Sequence, residues 1–293
     1  MRLFAVKLIR ILCFGDVVGT AGCALFQKYA TRLKQQFKAS LIIVNGENSV
    51  ANGRGITPKV VASLRHCGAD MVTGGNHIFQ QRDIHSYLNE RSDLLRPANF
   101  PSGCPGKGVG FIEHEGIKVA VINLQGRVFM SQHLECPLKT LESLLSYTRH
   151  HTPIAIVDFH AEASAEKIGL ALAFEGQITA VVGTHTHVQT ADERLLPKGT
   201  AFITDLGMAG ALNSMIGMKK EGLINQLLTQ MPTKFEVDTE GPFVISGVVI
   251  DVDVATGKAT HIERFRVIDT EISFGTDKNK TLKGEADLRS YGE

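Results

Sequence analysis

Short apolar runs rich in valine and isoleucine recur along the chain, separated by helix-length segments with mixed apolar and polar positions. That alternation predicts strands joined by helices. Strands are expected at Leu8–Phe14, Leu41–Val44, Met71–Thr73, Val119–Leu124, Ile154–Phe159, Ala180–Val182, Ala201–Ile203, Val244–Val252 and His261–Val267. Helices are expected at Cys23–Phe37, Pro58–Cys67, Gln81–Asn89, Leu138–His150 and Ser164–Phe174. At Thr57-Pro58 a capping hydroxyl precedes a proline, whose missing N–H is not needed in a first helical turn. Several strands are apolar on both faces, as in a sheet covered on both sides. The last third differs: Val244–Val252 and His261–Val267 flank Ala255-Thr256-Gly257-Lys258, which reads as an antiparallel hairpin. An α/β chain closing in a hairpin predicts mixed sheets rather than a purely parallel doubly wound one. Ser92–Gly110 and Leu206–Gly222 read as loops. With no repeat and no long linker, residues 1–272 read as a single domain, and the polar segment 273–293 is expected to be loosely held.

Composition narrows the classes. A chain of 293 residues, 43% apolar and 21% charged, can bury a large core and resembles an ordinary soluble protein. Lys and Arg number 31 against 30 Asp and Glu, so any contact with a polyanion must be local. The five cysteines, Cys13, Cys23, Cys67, Cys104 and Cys136, form no Cys-x-x-Cys pair, which argues against disulfides and thiolate zinc and favours the cytoplasm. Met1–Phe14 is apolar but interrupted by Arg2, Lys7 and Arg10, so it reads as a short leader and a first strand rather than an export signal. No apolar run approaches the ~20 residues of a membrane span.

The chemistry gathers at strand ends. Gly183-Thr184-His185-Thr186-His187 sets two imidazoles two residues apart behind an apolar strand, and Gly15-Asp16, Asn45-Gly46-Glu47-Asn48, Gly74-Gly75-Asn76-His77 and Asp158-Phe159-His160 also follow predicted strands. Ligands in open α/β sheets sit outside the carboxyl ends of strands, so one rim would collect all five segments. Carboxylate, amide and imidazole donors without thiolate suit Mn, Fe or Zn, and a carboxylate such as Glu47 can bridge two ions. Two such ions share a hydroxide and clamp the attacking and leaving oxygens of a phosphoryl displacement. Taken singly, Asp16 and Glu47 would each read as an N-cap or turn carboxylate after its strand. Asp158 and Glu162 read either as groups orienting His160 or as ordinary surface charges. Arg96, Gln125 and Arg127 lie in loops able to hold phosphate or base; of these Arg127 is the better candidate for a substrate contact, set against a structural ion pair, the commoner fate of an arginine. His66, His85, His114, His133, His150, His151 and His261 lack companion ligands and read as structural or surface groups.

Gly15-Asp16, Gly75-Asn76-His77 and the 183–187 segment resemble, in order, the blocks of the calcineurin-like metallophosphoesterase superfamily. Asp16-Val17-Val18 stands where that superfamily carries Asp-x-His, and Glu47 replaces its bridging aspartate. These departures resemble the YmdB-type branch, which hydrolyses 2′,3′-cyclic nucleotides. Asn45-Gly-Glu-Asn, Arg96-Pro-Ala-Asn-Phe-Pro, Asn123-Leu-Gln-Gly-Arg, Asp158-Phe-His-Ala-Glu and Ser246-Gly-Val-Val-Ile-Asp match it too, so the likeness runs from about Ile11 to about Val267. The resemblance implies a four-layer α/β/β/α sandwich of two mixed sheets flanked by helices. It implies one metal held by Asp16, Glu47, Asn48 and His187, and another held by Glu47, Asn76, His160 and His185, with Fe or Mn expected and Zn compatible. His77 would protonate the leaving ribose oxygen, yielding a 3′-nucleotide after metal-hydroxide attack. Expected partners are a small cyclic nucleotide, with room for RNA-derived substrates and a homo-oligomer, and no membrane. Rival readings are a phosphomonoesterase or 3′,5′-cyclic phosphodiesterase, or a metal-bound regulator with little hydrolysis.

Overall fold

The computed structural model describes residues 7–274. Its elements are β1 Leu8–Phe14, β2 Asp16–Val17, α1 Gly19–Gln36, β3 Leu41–Asn45, α2 Pro58–His66, β4 Met71–Thr73, α3 Ile84–Glu90, β5 Leu94–Leu95, β6 Val109–His114, β7 Ile117–Gln125, α4 Pro137–His151, β8 Ala155–His160, α5 Ser164–Ala173, β9 Ala180–Thr184, β10 Arg194–Leu195, β11 Ala201–Ile203, β12 Met208–Ala211, α6 Lys220–Thr229, β13 Phe243–Asp253 and β14 Ala259–Asp269. One mixed sheet runs β2-β12-β13-β1-β3-β4-β5, with β14 on the other edge of β13, and the second runs β10-β11-β9-β8-β7-β6.

Alternation along each strand builds the layers. On β1, Leu12 and Phe14 point to α1 and α2, meeting Leu25, Phe26, Val61 and Leu64. Ile11 and Cys13 point the other way and, with Ile43, Val248 and Ile250, face Val121, Ile156, Val182 and Ile203 of the second sheet. The far side of that sheet sends Ile122, Val157, Phe159 and Phe202 against Leu141 and Leu145 of α4 and Leu170 of α5. The result is the expected α/β/β/α sandwich. Each large side chain fully buried in these layers contributes about 1.5–3 kcal/mol.

The expected C-terminal hairpin forms as β13 and β14. Both presumed loops carry strands: β5 and the start of β6 lie within 92–110, and β12 lies within 206–222. The β6–β7 hairpin turns at Glu115-Gly116, both at positive φ, a two-residue turn without the Asn-Gly signature. Helix α6 also goes unforeseen, because its apolar residues Ile224, Leu227 and Leu228 face solvent. Of the segment expected to be loosely held, only Ser273 and Phe274 fall within the described residues, and the Phe274 ring lies edge-on to Phe243 at 5.6 Å. The short leader before Lys7 lies outside them. No described helix is long and apolar enough to cross a membrane.

Candidate metal centre

The five segments meet at the carboxyl ends of β1, β3, β4, β8 and β9. The β1 strand breaks at Gly15, where a Cβ would stand 2.0 Å from the Gly207 carbonyl oxygen, and the chain then re-enters the sheet as β2 beside β12. That jog delivers Asp16 to the rim, fully buried. Glu47 and Asn48 follow β3, also buried, while Asn76 and His77 follow β4 and remain partly open. Between them, Gly75 allows a close approach. A Cβ there would lie 2.3 Å from His160 Cδ2 and 2.4 Å from Glu47 Oε2.

Four donors converge on one point. His160 Nε2 lies 2.9 Å from Glu47 Oε1, 2.9 Å from Asn76 Oδ1 and 3.0 Å from His185 Nδ1. Glu47 Oε1 is enclosed yet accepts no hydrogen bond among the described residues. An orphaned buried carboxylate oxygen costs free energy unless a cation or donor meets it. Ligands about 2.0–2.2 Å from one ion sit roughly 3 Å apart in an octahedral arrangement, so the cluster's spacing fits a metal. Glu47, His160 and His185 together satisfy the geometry of a three-ligand cation site.

Outer partners fix which nitrogen faces inward. Thr184 Oγ1 donates to Asp158 Oδ1 at 2.7 Å and therefore accepts from His160 Nδ1–H at 3.0 Å, leaving Nε2 as the inward lone pair. Glu162 Oε2 lies 3.2 Å from His185 Nε2 on the outer side of the ring, leaving Nδ1 inward. His187 Nδ1–H donates to the Ile216 carbonyl at 2.8 Å, leaving Nε2 inward. Such acceptors raise imidazole basicity and lock ring orientation. Asp158 and Glu162, read in two ways from sequence, are thus orienting groups for two different histidines.

The second set is looser. His187 Nε2 lies 3.7 Å from Asp16 Oδ1 and 3.1 Å from Asn48 Nδ2, which is itself 3.5 Å from Asp16. Asn48 turns its oxygen to His77 Nδ1 at 2.7 Å, so its NH₂ end faces the carboxylate and imidazole. A ligand needs the opposite orientation, and a half-turn of the amide exchanges the ends. His77 also donates its backbone N–H to Glu47 Oε2 at 3.0 Å, and its side chain is 27% exposed at the mouth of the site.

The two histidines of 183–187 sit at positive φ, 102° for His185 and 64° for His187, a strained backbone that surrounding bonds must hold. Asp16 Oδ2 accepts from His185 N–H at 3.1 Å and Asp205 Oδ2 accepts from Thr186 N–H at 3.1 Å. Asp205 is paired with Lys167 at 2.8 Å, both fully buried. Neither was evident in sequence. A lysine on the apolar face of α5, beside Leu170 and Ala171, is the signal that a buried carboxylate awaits it.

Electrostatics follow from this packing. Burial opposes ionisation of Asp16, but His187 and His160 outweigh it and hold the carboxyl well below the usual range. Burial likewise disfavours ionised Glu47, and His160 and His77 reverse that. His160 also resists charging through burial, yet Glu47, Asp16 and Asp158 lift it to about 9. Burial and the His160 charge drive His185 down to about 3. Burial raises Asp158 to about 6, its threonine hydrogen bonds only partly opposing this. His77 lies below its ordinary value, chiefly through burial, with the His160, Arg54 and His187 charges adding to it against Glu47. Burial pushes the Cys23 thiol up to about 12, so it offers no thiolate near neutrality.

Two sequence candidates move away from chemistry. Arg96 is buried, and its guanidinium donates to the carbonyls of Pro105, Pro97 and Ala98, so it braces a loop instead of reaching phosphate. Gln125 is likewise buried and donates to Gln132 Oε1 at 3.0 Å. Arg127 stays on the rim, its backbone N–H held by Glu166 at 3.0 Å.

The sandwich and its rim of carboxylate, amide and imidazole donors define a metallophosphoesterase. The sequence model of the YmdB-like protein family matches residues 12–265, and this chain belongs to that family. It is 46% identical to the 2′,3′-cyclic-nucleotide 2′-phosphodiesterase of Bacillus subtilis (strain 168) over 266 residues, 91% of this chain and all of that protein. A solved phosphatase from Mycoplasma pneumoniae superposes with a TM-score of 0.84 at 35% identity, covering 91% of this chain and 96% of that one. A hypothetical protein from Thermus thermophilus superposes with a TM-score of 0.82 at 32% identity, covering 89% of this chain and 100% of that one.

Proposed function

We propose that this chain is a dinuclear-metal phosphodiesterase that opens 2′,3′-cyclic nucleoside monophosphates to 3′-nucleotides. The observation that carries the reading is the convergence of Glu47 Oε1, His160 Nε2, Asn76 Oδ1 and His185 Nδ1, with the buried Glu47 oxygen accepting no hydrogen bond among the described residues. The activity named for the Bacillus subtilis relative supports it. Asp16, Glu47, Asn48 and His187 would hold one ion, and Glu47, Asn76, His160 and His185 the other. The donor set suits Fe or Mn and accepts Zn. When bound, the ions supply positive charge to the phosphate oxygens and activate the attacking water.

The chain's own residues do the rest. With the Asn48 oxygen turned to metal, its NH₂ end would face His77 Nδ1 and leave the imidazole proton on Nε2 for the departing 2′-oxygen, whose expulsion as an alkoxide is costly without a proton. The buried Glu47 and Asp16 carboxylates stay ionised and keep the inward side of the site anionic until metal enters. Arg127, on the rim loop, is the side chain we assign to substrate phosphate.

Two outcomes are expected. In metal-free protein the raised His160 value stabilises the fold fully below the ordinary histidine value of about 6.5, a contribution lost as pH rises through about 9. The same proton must leave for Nε2 to bind metal, so the melting-temperature increase caused by Mn²⁺ should grow from pH 6.5 to 9 while the metal-free protein weakens. Thermal melts across pH, with and without Mn²⁺, measure both slopes. Gly75→Ala should strip the metals while retaining the secondary structure, because a methyl group at that position collides with His160 and Glu47; metal analysis beside circular dichroism reads this out.

The function itself is tested by following 2′,3′-cyclic, 3′,5′-cyclic and monoester nucleotides with metal-quantified protein. Preferred turnover of the 2′,3′-cyclic esters, with 3′-nucleotides as products, supports the proposal. Preference for the other esters, or metal with no phosphate ester cleaved, defeats it.

A further inference from the structure

On the side of the centre where His77 stands, the chain after Glu47 folds back, and Gly55 N–H donates to the Glu47 carbonyl at 2.7 Å. Arg54 is the residue next to that contact. Its carbonyl accepts from Gln81 Nε2 at 2.9 Å, and its guanidinium lies 4.9 Å from the centre of the Phe235 ring. It forms no ion pair among the described residues, whereas Arg10, Arg65, Arg91, Arg194 and Arg264 all do. The guanidinium borders an open cleft of about 450 Å³ lined also by Asn52, Gln226, Thr233, Lys234 and Phe235. Gln226 Oε1 is enclosed there and accepts no hydrogen bond among the described residues. Lys234 adds a second positive charge, only loosely met by Glu236 at 3.7 Å.

A cyclic mononucleotide leaves the positive charge of this cleft unmatched. Its single negative charge belongs to the cyclic phosphate, which the catalytic centre takes. An RNA 3′ end carries a further phosphodiester on the 5′ side of the same ribose, and beyond it another base. We propose that the cleft binds the penultimate nucleotide of an oligoribonucleotide ending in a 2′,3′-cyclic phosphate, and that such RNA ends are the preferred substrate class; this rests on the function proposed above.

Arg54, Lys234 and Phe235 then each have a use. The Arg54 guanidinium offers forked donors to the phosphodiester oxygens, with Lys234 as a nearby point charge. Held over Phe235, it leaves its other face for a base, as arginine planes do in single-stranded RNA recognition. The reaction is unchanged: water adds to phosphorus, the bond to the 2′-oxygen breaks, His77 supplies the proton, and a 3′-phosphomonoester stays on the RNA. With a net charge of +1, this attraction is confined to the cleft. A second cleft of about 580 Å³, bordered by His187, also carries arginines, Arg264 held by Glu193 at 2.7 Å and Arg266, but is the weaker candidate because, among the described residues, no Phe or Tyr ring lines it for a base to stack against.

The test compares kcat/KM of the metal-loaded full chain on adenosine 2′,3′-cyclic phosphate and on the dinucleotide ApA ending in the same cyclic phosphate. The dinucleotide should be favoured by about tenfold, within the range that stacking of one base contributes. The advantage should fall with salt, with a logarithmic slope of about −0.7 per phosphate held. Arg54→Gln should bring the ratio near one, and Lys234→Gln should reduce it. A wild-type ratio near one, with the mononucleotide turned over, overturns the subsite and leaves the function standing. Turnover of neither ester overturns both.

Discussion

Glu47→Ala is expected to abolish phosphodiester hydrolysis and to leave the purified protein without either ion. Loss of an outer partner of a ligand costs ~10- to 100-fold in metal affinity or activity, and removing the carboxylate shared by both donor sets should exceed that in each. The variant carries a second signature independent of turnover. Burial opposes the charge on His160, and Glu47 is the largest of the groups that sustain it, so the metal-free variant should lose the pH-dependent stability that fades through about 9. Metal analysis with melts of the metal-free variant across pH measures both. Retention of one full equivalent of metal would show that the sets do not meet at Glu47.

His77→Ala is expected to lower kcat by ~10²- to 10⁴-fold with metal content unchanged, the range a positioned proton donor contributes. The loss should be small for a diester with a nitrophenolate leaving group, which departs without protonation, and large for the cyclic nucleotide, whose leaving group is an alkoxide. Equal losses on both substrates would remove the proton-donor role. Loss of metal would instead make His77 a ligand, a result its contacts with Asn48 Oδ1 and the Glu47 carboxylate make informative.

Much of the site was legible because its donors are local signals of one kind: a short apolar strand, then Asp16, Glu47, Asn76, His160 or His185 at its carboxyl end. The sheet order then does the gathering, placing β1, β3 and β4 side by side in one sheet and β8 beside β9 in the other. What sequence did not reveal depends on contacts between distant positions. Thr184 orients His160 only because β8 and β9 pair in register at those residues. Lys167 and Asp205 meet only once α5 packs beneath the turn that carries the histidines. Arg96 looked able to reach phosphate until the fold buried its guanidinium among three carbonyls. Asn48 shows the same limit within a single side chain, since its neighbours decide which end of the amide faces the histidine pair.

The fold was read from the same periodicities and failed where they are weak. Strands β2, β5 and β10 span two residues each, too short for alternation to register. Helix α6 buries only Leu223 and leaves Ile224, Leu227 and Leu228 exposed, so it forms little of the core from which the helices were read.

The most direct test of the account is reconstitution of the metal-free chain with Mn²⁺ while hydrolysis of a 2′,3′-cyclic nucleotide is followed. Two donor sets joined by Glu47 predict little activity until the second equivalent binds, then a plateau at two ions per chain with the 3′-nucleotide as product. Full activity at one equivalent, or two bound ions without hydrolysis, would contradict it.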